Sequence, residues 1–336
     1  MRTTVLFKEF FASEKASGLV LVLCTVLSLV LSNSPLGAGY VHFWHTPLAG
    51  HALEFWVNDG LMTVFFLMVG LELEREVYIG ELSIRKHALL PALGALGGML
   101  VPAGIHLLLN TGLATSSGAG IPMATDIAFA IGILSLLGDR VPVGLKVFLT
   151  ALAVIDDLGA IVTIAVFYST GLAWSYLLAA LLVFAVLLVL NRLRVHVLLP
   201  YLLLGALMWF FMLRSGVHAT ITGVLLAFAI PFGKGDARSI SYRLQHFLHK
   251  PVAFGIMPIF ALANTCIVLG DDVFSGLTTP NSLGIFFGLV LGKPLGIALF
   301  AAVAVGVGWC VLPSGVRWSA LIGAGALGGI GFTMSI

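Results

Sequence analysis

Charge is what this 336-residue chain has least of: Asp, Glu, Lys and Arg together make up 10% of it, against about 25% in soluble domains. Hydrophobic residues make up 60% and the mean hydropathy is +1.10, which leaves too little polar surface to coat a soluble particle. The same scarcity excludes disorder, which requires low hydrophobicity, and nucleic-acid binding, which requires a basic patch. Cysteine is almost missing as well. Cys24, Cys266 and Cys310 are odd in number, far apart and without a CxxC pair, so neither a disulfide scaffold nor a zinc site is implied. Ten-residue stretches of alternating apolar and polar residues are absent, which excludes an outer-membrane barrel. What remains is long apolar runs, and in lipid these must be helices that pair their own backbone. The chain reads as an all-α polytopic membrane protein, one transmembrane domain over residues 1–336.

Runs long enough to cross about 30 Å of hydrocarbon fall near 17–32, 53–71, 87–109, 121–137, 144–168, 173–190, 196–213, 216–230, 251–269, 283–307 and 318–336. Short connections such as Asn33-Ser34-Pro35 separate them, and the longest, around 231–250, is expected to be a polar loop. With the N-terminus inside, fifteen of the seventeen Lys and Arg residues lie on the inner side. Only Arg214 lies outside, and Lys293 falls within a span. That asymmetry predicts a cytoplasmic N-terminus. Residues 1–15 mix Lys8, Glu9, Glu14 and Lys15 with Phe7, Phe10 and Phe11, which predicts a short interfacial helix. Its acidic residues argue against a cleaved signal peptide.

Function is expected where the membrane carries charge. Asp156 and Asp157 stand at the middle of the fifth span, where each carboxylate costs roughly 2.5–3.5 kcal/mol on insertion scales. Each large apolar residue of the span returns only about 0.3–0.6 kcal/mol. Two aspartates therefore cancel much of the insertion free energy of their own helix, and an ion or proton site explains them better than a structural pair. Adjacent helical residues point about 100° apart, so one can face a cavity while the other faces a neighbouring helix.

In the fourth span, Pro122 and the pair Thr125-Asp126 interrupt regular helix. Asp126 there is either a helix cap at the membrane surface or a charge that compensates exposed half-helix ends. Lys293 is the one cation deep in a span. Its surroundings, Gly288 to Gly296, superficially suggest a phosphate loop, but only three residues separate Gly288 from Gly292 and Pro294 replaces the Ser/Thr. A buried lysine needs a carboxylate or loses its proton, and the acid must come from another span.

Other groups carry weaker signals. Glu72, Glu74, Arg75 and Glu76 end the second span on the inner side, with His246 and His249 in the 231–250 segment on that side too. As a group they would form a cation-attracting, pH-responsive entrance. His218 opens the eighth span near the outer face. Glycines 94, 97, 98, 323, 325, 328, 329 and 331 predict close helix contacts.

Together the motifs Ala124-Thr125-Asp126-Ile127-Ala128-Phe129, Ile155-Asp156-Asp157-Leu158-Gly159-Ala160, Gly216-Val217-His218-Ala219-Thr220, Gly292-Lys293-Pro294-Leu295-Gly296 and Gly331-Phe332-Thr333-Met334-Ser335-Ile336 resemble the bacterial NhaA sodium/proton antiporters. The resemblance runs from the first span to the last residue, in the family's order. It alone implies inverted repeats with two discontinuous helices, the fourth and eleventh spans, that cross each other. It further implies that Asp156 and Asp157 bind sodium or lithium transiently and exchange it for protons. Thr125 and Asp126 would belong to the crossing, Lys293 would be the basic partner, and Glu72, Arg75, Glu76, His218, His246 and His249 the pH-response group. Gln245 stands where the family carries an acid. The family continues into a twelfth span, whereas this chain stops at Ile336, which predicts an incomplete and poorly active antiporter.

The expected activity is electrogenic, pH-regulated exchange of internal sodium (or lithium) for external protons in a bacterial inner membrane, without enzymatic chemistry or a cofactor. The expected partners are the transported ions and membrane lipid, with a homodimer left open. Two rivals need features the sequence barely offers. A proton-coupled organic-anion carrier needs more deep bases than Lys293. An intramembrane aspartyl protease needs aspartates on facing helices, and only Asp126 with Asp156 or Asp157 would qualify.

Overall fold

The computed structural model describes residues 5–80, 83–126, 130, 133–134, 137, 141–163, 173–270, 273–313 and 315–331. Among them the regular secondary structure is helical apart from one short hairpin, β1 (Pro47–Leu48) and β2 (His51–Ala52). Ala49 and Gly50 make its two-residue turn with φ of 50° and 88°, the left-handed pair such a turn requires.

Helix α1 (Val5–Ser32) is uninterrupted. Residues 5–15 form its first turns, with no glycine or proline before Gly18. At its far end the Asn33 side chain donates to Leu29 O at 2.8 Å, covering one of the carbonyls a helix end leaves open. Then follow α2 (Gly37–Trp44), α3 (Met62–Tyr78), α4 (Arg85–Leu109), α5 (Val143–Thr163), α6 (Trp174–Arg192), α7 (Leu198–Ser215), α8 (Ile221–Ala229), α9 (Ile240–Pro251), α10 (Met257–Asn264), α11 (Pro280–Phe287), α12 (Lys293–Gly306) and α13 (Trp318–Gly328). Six helical stretches among the described residues are long and apolar enough to cross a membrane: Leu53–Tyr78, Ala88–Leu109, Trp174–Arg192, Leu198–Ser215, Ile240–Asn264 and Pro280–Gly306.

Four expectations change. The run at 121–137 is no continuous helix: a 3-10 segment, Ala114–Met123, gives way to non-helical backbone at 124–126. Pro122 lacks the N–H that would carry an α-helix onward. The run at 216–230 holds only the nine residues of α8. Gly216, at φ 83°, ends α7 in the left-handed conformation that glycine adopts without strain. The run at 318–336 is helical only to Gly328, and residues 332–336 lie outside the described residues. The 231–250 segment is not a loop, since it contains α9, which leads through a π-turn into α10. An apolar-run search misses α9 because only a stripe of it, Ser241, Leu244 and Leu248, is buried.

Two compact units make up the chain. One comprises Met1–Leu23, Gly80–Val162 and Ile267–Ile336, the other Cys24–Ile79 and Thr163–Cys266. The core of the first joins Leu90 of α4, Phe148, Leu149 and Leu152 of α5, Ile297 and Ala301 of α12, and Leu321 and Ala324 of α13. Helices α4 and α12 meet backbone to backbone, so a Cβ at either Gly97 or Gly296 would strike the other's carbonyl oxygen. In the second unit, Gly223 of α8 lies against the backbone of Thr63 to Leu67, and Gly70 of α3 against Ala227. The Asn58 and Asn264 side chains there exchange amide hydrogen bonds of 3.0 and 2.7 Å. Leu178, Leu182, Val186 and Val189 of α6 are exposed, an apolar surface suited to lipid and not to water.

Candidate ion-binding site

Broken backbone builds the first unit's polar centre. Where the 3-10 segment ends, Ala124 takes extended angles, φ −77° and ψ 154°, and the chain runs on through Thr125 and Asp126 to the end of α13. There the Asp126 N–H donates to Ile330 O at 2.6 Å, and the Thr125 hydroxyl lies 2.8 Å from Gly328 O. A helix end leaves its carbonyls without intrahelical partners, so this crossing concentrates polar backbone inside an apolar bundle. Thr125, Asp126, Asp156 and Lys293 are all buried to 1% exposure or less.

Asp156, on α5, is the hub. Its Oδ2 receives the Lys293 ammonium at 2.5 Å and the Thr125 hydroxyl at 2.5 Å. Lys293 Nζ also donates to Met123 O, at the last residue of the 3-10 segment. The Thr125 hydroxyl has one hydrogen, so Asp156 Oδ2 and Gly328 O compete for it. Asp156 Oδ1 is buried and has no hydrogen-bond partner among the described residues. An unpaired buried carboxylate oxygen is costly, and it marks the position where a proton or a small cation gains most.

The ligand chemistry is consistent throughout. The carboxylate, the hydroxyl and the carbonyls of Met123 and Gly328 are hard oxygen donors, as alkali and alkaline-earth cations prefer. Lys293 supplies the one positive charge at this centre among the described residues and balances Asp156. Breaking such a pair from one side typically costs about 3–5 kcal/mol. The sequence pointed to the side chains but not to the Met123 and Gly328 carbonyls. The signals for those were Pro122 and the Gly328-Gly329 pair, both places where a helix stops.

Asp157 follows on α5, with its side chain outside the described residues, as are Ile127 to Phe129 of the fourth-span motif. Glycines 94, 97, 98, 325 and 329 do sit in close helix contacts, whereas a Cβ at Gly328 would make only ordinary contacts and one at Gly323 would meet nothing within 4 Å.

The sequence's pH-response group lies in the second unit. The Arg75 guanidinium of α3 sits 5.0 Å from the centre of the Tyr242 ring, and that ring stacks on His246, 6.3 Å between centroids and 5° from parallel. Tyr242, which the sequence reading did not single out, thus joins Arg75 to His246. Glu72 and Glu76 are half-buried on α3, and His249 is half-buried on α9. Glu74 is the most deeply buried of the α3 acids at 2% exposure, and its Oε2 has no partner among the described residues. His218 is exposed in the turn before α8.

Residues 8–336 match the family described as Na+/H+ antiporter 1. The chain is 64% identical over 336 residues to the Na(+)/H(+) antiporter NhaA of Flavobacterium psychrophilum, covering 100% of this chain and 88% of that one. It is 65% identical over 333 residues to the protein of the same name from Dechloromonas aromatica, covering 98% and 86%. Among solved structures, the sodium proton antiporter MjNhaP1 from Methanocaldococcus jannaschii at pH 8 matches with a TM-score of 0.53 at 19% identity, over 98% of this chain and 94% of that one. That likeness concerns the fold alone.

Proposed function

The chain belongs to the Na+/H+ antiporter 1 family, a family of multi-pass membrane proteins that exchange sodium for protons, and we propose that Asp156 is the carboxylate at which the two ions compete. The observation that carries this reading is the Asp156 carboxylate itself. One of its oxygens is held by Lys293 and Thr125, and the other is buried without a partner among the described residues.

The chemistry is competition for a single negative charge. Sodium, or lithium, taking up Asp156 with the Thr125 hydroxyl and the freed carbonyls displaces the Lys293 ammonium, and a second cation beside the first is repelled in low dielectric. A proton returning to the lysine restores the ion pair with the ionised carboxylate and expels the metal ion. Asp157, the next residue on α5, shares this charge balance. Because sodium and proton occupancy exclude one another, each passage across the membrane carries one or the other, and no covalent bond is made or broken.

Return of more than one proton per sodium makes the cycle electrogenic. The membrane potential then contributes about 2.3 kcal/mol per net charge per 100 mV. We assign the site to a bacterial inner membrane with the N-terminus in the cytoplasm, on the placement of fifteen of the seventeen basic residues. Arg75, Tyr242 and His246 form the candidate pH-response cluster, with Glu72, Glu76 and His249 on the same two helices. Glu76→Gln or His246→Ala should alter the pH profile with little change at its optimum. A rise in apparent sodium KM without a shift of the profile would instead mark a simple entrance funnel.

Sodium-jump dequenching of a pH dye in proteoliposomes tests the assignment. The chain with Asp156→Asn, and separately Asp157→Asn, should reach the membrane folded and lose sodium-dependent collapse of ΔpH. Collapse at the unsubstituted rate in both variants would show that the exchange site lies elsewhere.

A further inference from the structure

The span that delivers Lys293 is not a regular helix. Between α11 and α12 lies a π-turn, Gly288–Gly292, and Lys293 is the next residue. Glycines 284, 288, 292 and 296 recur every four residues along this span. A Cβ at Gly284 would meet His106 and Asn110, at Gly288 Pro102 and Pro122, at Gly292 Pro102 and Ile105, and at Gly296 the backbone of Gly97. All four therefore face α4, the first three within two turns of its far end.

A regular α-helix cannot keep them there. Twelve residues at about 100° each turn roughly 1,200°, which leaves Gly296 about 120° round the axis from Gly284. A π-turn takes one extra residue into its turn. Eleven effective steps turn about 1,100°, within roughly 20° of three full turns. The extra residue is what lets one glycine row stay on α4 from end to end, and it fixes the direction of every side chain that follows. Lys293, one residue past Gly292, leaves the row by about 100° and reaches Asp156.

Both flanks of the turn are tied to α4. On the α11 side, His106 Nε2 and Asn281 Oδ1 are 3.0 Å apart, and Asn110 Nδ2 donates to Pro280 O at 3.1 Å. On the α12 side is the backbone contact of Gly97 and Gly296. With both ends held, the turn cannot rewind to α-helix unless one flank rotates by about 100°. If α12 rotates, Lys293 swings off Asp156.

We propose that the π-turn Gly288–Gly292 is the positioning element of the exchange site: by absorbing one surplus residue it keeps Lys293 aimed at Asp156, and the contacts of His106, Asn110 and Gly97 with the span hold it in that register. This rests on the reading that Asp156 and Lys293 carry the exchange.

The signature is an asymmetry in length variants. Deleting Val290, which is 51% exposed, removes the surplus residue and leaves both flanks on their faces. Inserting an alanine after Val290 adds a second surplus residue and turns Lys293 away. In proteoliposomes the deletion should keep at least about half of the sodium/proton exchange with an unshifted pH profile, whereas the insertion should lose about tenfold or more. An ordinary helical turn would suffer alike from both changes. A deletion variant that fails to fold, or that loses exchange as the insertion does, overturns the proposal, as does an insertion that is tolerated.

A second pair keeps the chain length. Gly292→Ala presses a Cβ onto Pro102 and should shift the pH profile toward that of Lys293→Ala, while Gly306→Ala, with nothing within 4 Å, should not. Equal profiles for the two would contradict the positioning role. Asp156→Asn and Lys293→Ala run alongside. If both exchange like the unsubstituted chain, the site reading is what fails; if they are impaired and the asymmetry is missing, only the π-turn's role fails.

Discussion

Thr125 has one hydroxyl hydrogen and two acceptors, Asp156 Oδ2 and Gly328 O, so its oxygen is free to turn toward a cation whenever the carboxylate does. Hydrogen bonds to a charged group contribute about 1.5–3 kcal/mol. Thr125→Val should therefore raise the apparent sodium KM roughly tenfold or more, and Thr125→Ser should restore most of it. Equal KM values for the two variants would remove the hydroxyl from the site. Lys293→Ala takes away the charge that favours an ionised Asp156, so its exchange profile should move to more alkaline pH; an unchanged profile would make Lys293 a remote structural partner. At this scale the sequence was legible wherever a charge sat in an apolar run. Lys293 demanded an acid from another span, and the structure supplies Asp156 of α5. Tyr242 and the Met123 and Gly328 carbonyls were not legible. An aromatic ring at helical spacing and a backbone oxygen leave no compositional trace.

Helices in this chain approach one another through glycine. Where a Cβ would strike a backbone, as at Gly97, Gly223 and Gly296, a larger side chain must push the pair apart, at a cost of about 1–3 kcal/mol or more. Gly223→Leu and Gly296→Leu should lower the melting temperature in detergent by several degrees, while Gly104→Leu and Gly306→Leu, with open space around them, should not. A uniform loss across the four would mean that helix propensity and not contact decides. Apolar run length identified the long helices, because lipid imposes it on the sequence. The 3-10 stretch Ala114–Met123 and the π-turns escaped, since what stabilises them is a neighbouring helix and not a local residue pattern. Amphipathic α9 escaped for the opposite reason: too much of it is polar to register as a span.

For the whole molecule, the account is a charge balance inside an apolar protein. One buried carboxylate is neutralised by an ammonium in the ion pair; in the proposed cycle sodium neutralises it in the alternative state, and the passage between the two moves protons. Imposing an inside-negative potential with valinomycin and potassium should accelerate sodium extrusion if more than one proton returns per cycle. A rate indifferent to potential would make the exchange electroneutral. The balance itself is tested most directly by calorimetric titration of the purified chain with sodium, in buffers of different ionisation enthalpy that count the protons set free. The account predicts that sodium binding releases protons at neutral to alkaline pH, and that Asp156→Asn abolishes both the binding heat and the release. Sodium binding without proton release, or binding that survives Asp156→Asn unchanged, would contradict it.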